Sequence, residues 1–352
     1  MKTLSFYLIL FIITFLLIEI CVRLFVWVYP VPMLFDAGYN RFRGNPNAMI
    51  YGHPLNSLGF KDEEFKPKEK GVYRIVGIGD SYTFGVTPYP DNFLTVAEKE
   101  LAARFPEKKV EIYNMGIPSI GPKEEIGLLE DEGFGWEPDM VLINFFVGND
   151  FQEHVISKKR HFVENYLYSV NIAYRAFTLL SKTSREFRAN YMKGWDNYCD
   201  SCNVFTTEDY LQLEADRSFI FNRSDPFLEN QLALIMEHFK KAKALCDEKG
   251  IELVVSIIPD EMQINQELQQ AVIQKLRANG INPEWDNTLP NRRFAEELIR
   301  LGIPYIDFFP VIAEHRDTSC YVPQDSHWNI YGNRVAGEYL AGVLTDHFFN
   351  GE

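Results

Sequence analysis

Hydrophobic and polar positions follow two different rules along this chain. From Leu4 to Ile18 the run LSFYLILFIITFLLI contains no charge at all. Extended to Tyr29 it predicts a helix of about 26 residues, on the order of 39 Å long, against a bilayer core of roughly 30 Å. Glu19 and Arg23 are the charges inside it, spaced i,i+4 so that they can pair on one face. Trp27 and Tyr29 fall where interfacial aromatics belong, and Pro30 ends the helix. No A-x-A-like cleavage site follows the apolar run, and the bulky Leu24-Phe25-Val26-Trp27 stretch suits a retained anchor better than a signal peptide. Cys21 is preceded by Ile18-Glu19-Ile20, not by the small residues of a lipoprotein site. Lys2 lies on one flank and Arg23, Arg41 and Arg43 on the other, so charge counting does not decide topology.

Residues 30–70 read as an irregular lead-in rich in Pro, Gly and Asn, with a short element at Asn56-Ser57-Leu58-Gly59-Phe60. From Val72 a strand–helix alternation begins. Strands are predicted at Val72 to Ile78, Val110 to Met115, Met140 to Val147, Ile251 to Ile258 and Ile303 to Phe308. MVLINFFV at 140–147 is apolar throughout, as a central parallel strand covered on both faces should be. Asp91 is expected to cap an amphipathic helix carrying Phe93, Leu94, Val96, Leu101 and Phe105. Further helices are expected at Lys123 to Leu129, Asn230 to Lys249, about 264–279, about 291–301, and from Gly332 to Phe348. Buried strands separated by helices define a doubly wound, three-layer α/β/α sandwich with a mainly parallel sheet. Residues 151–229 interrupt the pattern, with a basic patch at Lys158-Lys159-Arg160-His161 and a helical stretch near 164–192. Two readings of this insert stand: a solvated helical excursion, or a lid facing the substrate.

Composition narrows the class. The chain has 352 residues, 46% hydrophobic and 24% charged, which is globular usage with room for one large domain or two modest ones. A net charge of -14 argues against a nucleic-acid binder working through a basic face. The mean hydropathy of -0.18 averages an apolar anchor with a polar, acidic domain. Cys199 and Cys202 form an isolated C-D-S-C, readable as a local disulfide or as two free thiols. A zinc site would need two more ligands, and no second C-x-x-C or H-x-x-x-H exists, so no metal is expected. Gly77-Ile78-Gly79 lacks the third glycine of a dinucleotide fingerprint, so no cofactor is expected.

Polar, small-residue clusters fall at three predicted strand ends: Gly79-Asp80-Ser81, Asn114-Met115-Gly116 and Gly148-Asn149-Asp150. Asp325-Ser326-His327-Trp328-Asn329 then precedes the last helix. Each is weak alone; their joint order is the signal. A serine hydroxyl becomes a useful nucleophile when an imidazole accepts its proton, and that imidazole needs an acid to fix its tautomer. Donors at the developing oxyanion complete acyl-transfer chemistry. Ser81 sits at a strand-to-helix turn with its own N–H available, Gly116 offers an unobstructed N–H, and Asn149 a side-chain amide. Asp80 and Asp150 are expected to fix their loops, Trp328 to pack or line the pocket, and the segment Pro259 to Gln263 to lie near the cleft. His154, close behind the third block, is a weak further candidate.

These four blocks resemble the SGNH (GDSL-type) hydrolase superfamily over nearly the whole span from Val72 to the last helix. The resemblance implies Ser81 in GDSYTFG as nucleophile, Gly116 in NMGIPSIG and Asn149 in GND as oxyanion donors beside Ser81, and His327 as base. NSLGFKD at 56–62 behind an amino-terminal anchor is similar to membrane-anchored bacterial members, which implies an extracytoplasmic catalytic domain. The last block departs from D-x-x-H: Gln324 stands at -3 from His327, and the acid, Asp325, at -2. D-x-H-W is similar to the branch that acetylates exopolysaccharides such as alginate, although that branch places D-x-H ahead of the serine. Asp325 is the expected partner of His327, with a main-chain carbonyl as the alternative. The implied activity is a membrane-anchored serine esterase acting on acyl or acetyl esters of a carbohydrate or small molecule. An O-acyltransferase shares its first half-reaction, and a non-catalytic glycan-binding protein is the third reading. The organisation expected is an anchor at 1–29, a lead-in at 30–70 and a catalytic domain at 71–352. Small-molecule or glycan esters are the expected partners, together with the membrane through the anchor.

Overall fold

A computed structural model describes residues 2–29, 34–36, 42–152, 167–185, 187–188 and 197–346. Helix α1 (Lys2–Val28) is long and apolar enough to cross a membrane, and its apolar side chains are almost all exposed. Two short antiparallel pairs follow, Leu34–Asp36 with Phe42–Gly44 and Met49–Ile50 with His53–Pro54.

The central sheet holds five parallel strands: β1 (Val72–Gly79), β2 (Lys109–Gly116), β3 (Met140–Phe146), β4 (Glu252–Ile258) and β5 (Tyr305–Asp307). Their spatial order is β2-β1-β3-β4-β5, a doubly wound arrangement whose switch point lies where β1 sits between β2 and β3. Alternation along the strands separates two cores. Val76, Ile78, Ile143, Phe145, Val255 and Ile257 face one side. Ile75, Leu142, Val254 and Ile306 face the other. The first side is covered by α4 (Pro122–Asp131), α7 (Phe227–Lys249), α9 (Gln266–Ala278) and α10 (Leu289–Arg300). The second is covered by α3 (Phe93–Arg104), α11 (Phe309–Glu314) and α12 (Ile330–Leu344). Phe145 stacks on Phe294 at 4.0 Å between ring centres, and truncating such a ring costs about 3–5 kcal/mol. The three-layer α/β/α sandwich expected from the alternation is therefore the fold.

Boundaries shift by a few residues. The cap of α3 is Asn92, whose side chain accepts from Leu94 N; Asp91 instead closes a short 3-10 turn at Tyr89–Asp91. The insert contains α5 (Tyr168–Lys182) and α6 (Thr207–Arg217), joined to α7 through a 3-10 turn at Ser218–Phe221. His154 and the basic patch 158–161 lie outside the described residues. Cys199 and Cys202 are joined as a disulfide.

Candidate active site

β1 ends at Gly79, and the chain turns at once into α2 (Ser81–Phe84). Asp80 caps this turn by accepting from Tyr82 N at 2.8 Å, which leaves Ser81 at the first helical position over the carboxyl edge of the sheet. The β2 loop presses against the same turn from the side. A Cβ on Gly116 would lie 2.1 Å from Phe84 N, so only glycine permits this approach. Asn114 locks the contact, donating to Thr83 O at 2.6 Å while accepting from Gly116 N at 2.9 Å. From β3, Asn149 reaches back and donates to Asp80 Oδ2 at 2.9 Å.

The lead-in is part of this assembly. Asn56 Oδ1 accepts from Leu58 N and Phe60 N to form a tight loop. That loop delivers Lys61 and Asp62 into the interior, both almost fully buried. Lys61 Nζ donates to Gly85 O at 2.6 Å and also to Thr87 O, tying down the chain that leaves α2. Asp62 accepts from Asn114 N at 2.7 Å and from Tyr89 OH at 2.9 Å. Burial pushes the Lys61 ammonium down to about 7 and the Asp62 carboxyl up to about 8.

His327 arrives from a loop on the carboxyl side of β5. Val322 N donates to His327 O at 2.9 Å and Asn329 N to Cys320 O at 2.9 Å, making a narrow hairpin-like excursion. At its tip Gln324 adopts a left-handed backbone with φ of 52°. Asp325 Oδ1 takes the His327 Nδ1 contact at 2.6 Å and accepts from His327 N at 3.3 Å. One carboxylate oxygen thus serves ring and backbone together, which is how an acid at -2 reaches the imidazole. His327 Nε2 stands 2.7 Å from Ser81 Oγ. The ring lies against Tyr82, whose hydroxyl donates to Ser326 O. Burial disfavours the imidazolium, but the charge and hydrogen bond of Asp325, with Asp80 behind them, outweigh it and raise the His327 pKa. Burial likewise raises Asp80, opposed by Tyr82 N, the His327 charge and Asn149.

The structure therefore brings together all five residues singled out in the sequence: Ser81, Gly116, Asn149, Asp325 and His327. One detail differs from expectation, since the Gly116 N–H is engaged by Asn114 Oδ1. Trp328 is buried against Phe93, Phe308 and Tyr82 and belongs to the core. Asp260, in the segment after β4, is fully buried, caps α8 (Glu261–Ile264) and pairs with Arg217 at 3.0 Å. Asp150 accepts from Phe146 N at 2.7 Å, as a loop-fixing residue should.

Sequence reasoning missed the brace behind His327. Val204 N donates to Pro323 O at 3.0 Å and Phe205 N to Gln324 O at 3.2 Å. Gln324 Nε2 donates to Thr207 Oγ1 at 2.7 Å, and Asp200, inside the disulfide loop, accepts from Ile330 N at 3.0 Å. The end of the insert is thus a splint on the Asp325–His327 loop. C-D-S-C was its one visible trace.

A hydroxyl, an imidazole and a carboxylate stand in line at the switch point of an open α/β sheet, the arrangement that serine acyl-transfer chemistry requires. Residues 218–351, which carry Asp325 and His327, match the family profile described as SGNH hydrolase-like domain, acetyltransferase AlgX. Over that stretch the chain is similar to the SGNH hydrolase-like domain of the AlgX acetyltransferases. A search of curated proteins gives no match. Similar solved structures include an α/β hydrolase from the metagenome of Lake Arreo, Spain, at 16% identity, covering 77% of this chain and 96% of the other with a TM-score of 0.40. A lipase/acylhydrolase from Enterococcus faecalis is similar at 14% identity, covering 78% and 96%, with a TM-score of 0.37. A catalytic mutant of an acetylxylan esterase from Geobacillus stearothermophilus shares 10% identity, covering 78% and 93%, with a TM-score of 0.39.

Proposed function

We propose that the chain is a membrane-anchored serine esterase that removes acetyl or another short acyl group from a carbohydrate or small ester. The carrying observation is the line Ser81 Oγ, His327 Nε2, His327 Nδ1, Asp325 Oδ1, with gaps of 2.7 and 2.6 Å. In this reading Ser81 Oγ attacks the ester carbonyl carbon while His327 Nε2 takes its proton. Asp325 holds the Nδ1–H and balances the imidazolium. The oxyanion is met by the Ser81 N–H and an Asn149 amide proton, with the Gly116 N–H joining by sharing its bond to Asn114. Collapse expels the alcohol, which takes the proton from His327. Water, deprotonated by the same imidazole, then attacks the acyl-serine carbonyl; collapse releases the carboxylic acid, and His327 Nε2 returns the proton to Ser81 Oγ.

Two features support the placement. The exposed apolar α1 supports a single-pass anchor over residues 1–29, ahead of a lead-in at 30–70 and a catalytic domain at 71–352. The Cys199–Cys202 disulfide supports an oxidising, extracytoplasmic setting for that domain. The test is hydrolysis of a chromogenic short-chain ester by the full chain in detergent, beside Ser81→Ala. Wild-type activity and its loss in the variant are expected, with fluorophosphonate labelling of Ser81. Unchanged turnover in Ser81→Ala would sink the assignment.

The family match favours a second reading, an O-acyltransferase that hands the acyl group to an extracytoplasmic polysaccharide. A sugar hydroxyl would then replace water in the second half-reaction. Incubation with an acetyl donor and oligosaccharide acceptors separates the two: acetylated sugar supports transfer, and free acetate alone supports hydrolysis.

A further inference from the structure

Helix α5 joins α1 through a polar contact inside an otherwise apolar surface. The Glu19 carboxylate accepts from Tyr168 N at 2.9 Å, Ser169 N at 3.0 Å and Ser169 Oγ at 2.7 Å. It also pairs with Arg23 at 2.9 Å, and the Arg23 guanidinium lies over the Tyr168 ring at 4.3 Å. The first N–H groups of a helix have no partner within that helix. In water they need none; within a bilayer each must be satisfied by protein. A carboxylate from the apolar helix supplying these bonds is what a helix start at membrane depth requires.

Depth agrees with this. Counted from Lys2 at 1.5 Å per residue, a core of roughly 30 Å ends about 20 residues on, near Arg23. Glu19 then lies about 6 Å inside that boundary. Amphipathic helices that lie on a bilayer sink about 5–10 Å into it. Along α5, Tyr174, Phe177 and Leu180 recur every third residue and are 62%, 67% and 68% exposed, an apolar face that water would not favour. Lys182, exposed at the end of the helix, can reach the headgroups.

We propose that α5 is an interfacial helix, lying in the leaflet from which the carboxyl-terminal end of α1 emerges and covering Tyr174, Phe177 and Leu180 with lipid. The proposal rests on the reading of α1 as a retained anchor. It has a consequence for the site. α5 runs into Thr183, which pairs with Phe205, and Phe205 bonds Gln324 beside Asp325. The membrane contact is therefore two links from the loop that carries His327.

The test uses the full chain in nanodiscs of phosphatidylcholine and phosphatidylglycerol. Cys21→Ser removes the exposed thiol of α1, while Cys246 and Cys320 are buried. Phe177→Cys is labelled with an environment-sensitive nitrobenzoxadiazole, and Lys240→Cys on α7 serves as the solvent reference. Expected is a blue-shifted Phe177 label, quenched severalfold more than the Lys240 label by lipids spin-labelled high on the acyl chain. Leu180→Cys should behave alike, which guards against a perturbation by one substitution. A water-like, unquenched label in a chain that resists carbonate extraction overturns the inference and leaves the anchor standing. A blue-shifted but unquenched label also overturns it, because protein then covers the face. Release of the chain by carbonate overturns the anchor reading and this inference with it; esterase activity is scored separately.

Discussion

His327 is where opposing influences on one imidazole can be separated by experiment. Burial lowers its proton affinity, and Asp325 with Asp80 raises it further than burial lowers it. A base works when neutral, so the raised pKa puts the acidic limb of kcat/KM above the ordinary histidine range. Asp325→Asn removes the largest raising influence. The limb is expected to move to lower pH while kcat falls by roughly 10³–10⁴-fold, read from a pH–rate profile. The same shift bears on stability. A group whose pKa is raised by folding stabilises the fold fully below its unfolded pKa, and the gain is lost as pH rises through the folded value. The melting-temperature gap between wild type and His327→Gln should therefore shrink between mildly acidic and alkaline pH. Asn149→Ala is expected to cost about 10²–10³ in kcat with little change in KM, the signature of a lost oxyanion donor. These five residues were legible because each block sits at a strand end or helix entry, where local sequence determines placement. The engagement of Gly116 N–H by Asn114 was not legible, since it depends on a rotamer fixed by the main-chain oxygen of Thr83 in the neighbouring α2.

At the scale of elements, the strands were readable because burial on both faces leaves unbroken apolar runs such as β3. The supports were harder. Lys61 reads as a surface lysine beside Phe60, yet it is buried with its ammonium on Gly85 O and Thr87 O. Nothing local announces a partner 24 residues away. Lys61→Met should leave two carbonyls bare at roughly 1–3 kcal/mol each, seen as a lower denaturant midpoint with an unchanged slope. The insert offers a similar lesson, for its apolar periodicity reveals a helix and not the segment 204–205 that pairs beside Gln324. Reducing the Cys199–Cys202 disulfide, or replacing both cysteines by serine, frees Asp200 from its place at Ile330 N. Esterase turnover is expected to fall severalfold with KM nearly constant, because the loop that moves carries His327, the proposed base. Equal kcat in the reduced and oxidised chains would show that the splint is not needed.

Across the whole molecule, the site gathers residues from Ser81 to His327 without a contribution from α1, whose packing among the described residues is to α5. A chain starting after residue 29 should keep its kcat/KM on a soluble ester and lose its carbonate-resistant attachment to membranes, as a sedimentation assay would show. The connection from Ser81 to His327 spans 246 residues of sequence. Such a closure is among the last contacts a chain can make, because so much loop must be ordered first. During synthesis the apolar helix emerges long before residue 327 does, and domains fold progressively from the amino terminus. On the proposed reading, the order of the chain thus acts as a safety catch: the protein would be delivered and tethered while Ser81 is still unarmed, and His327 would arrive only at its destination.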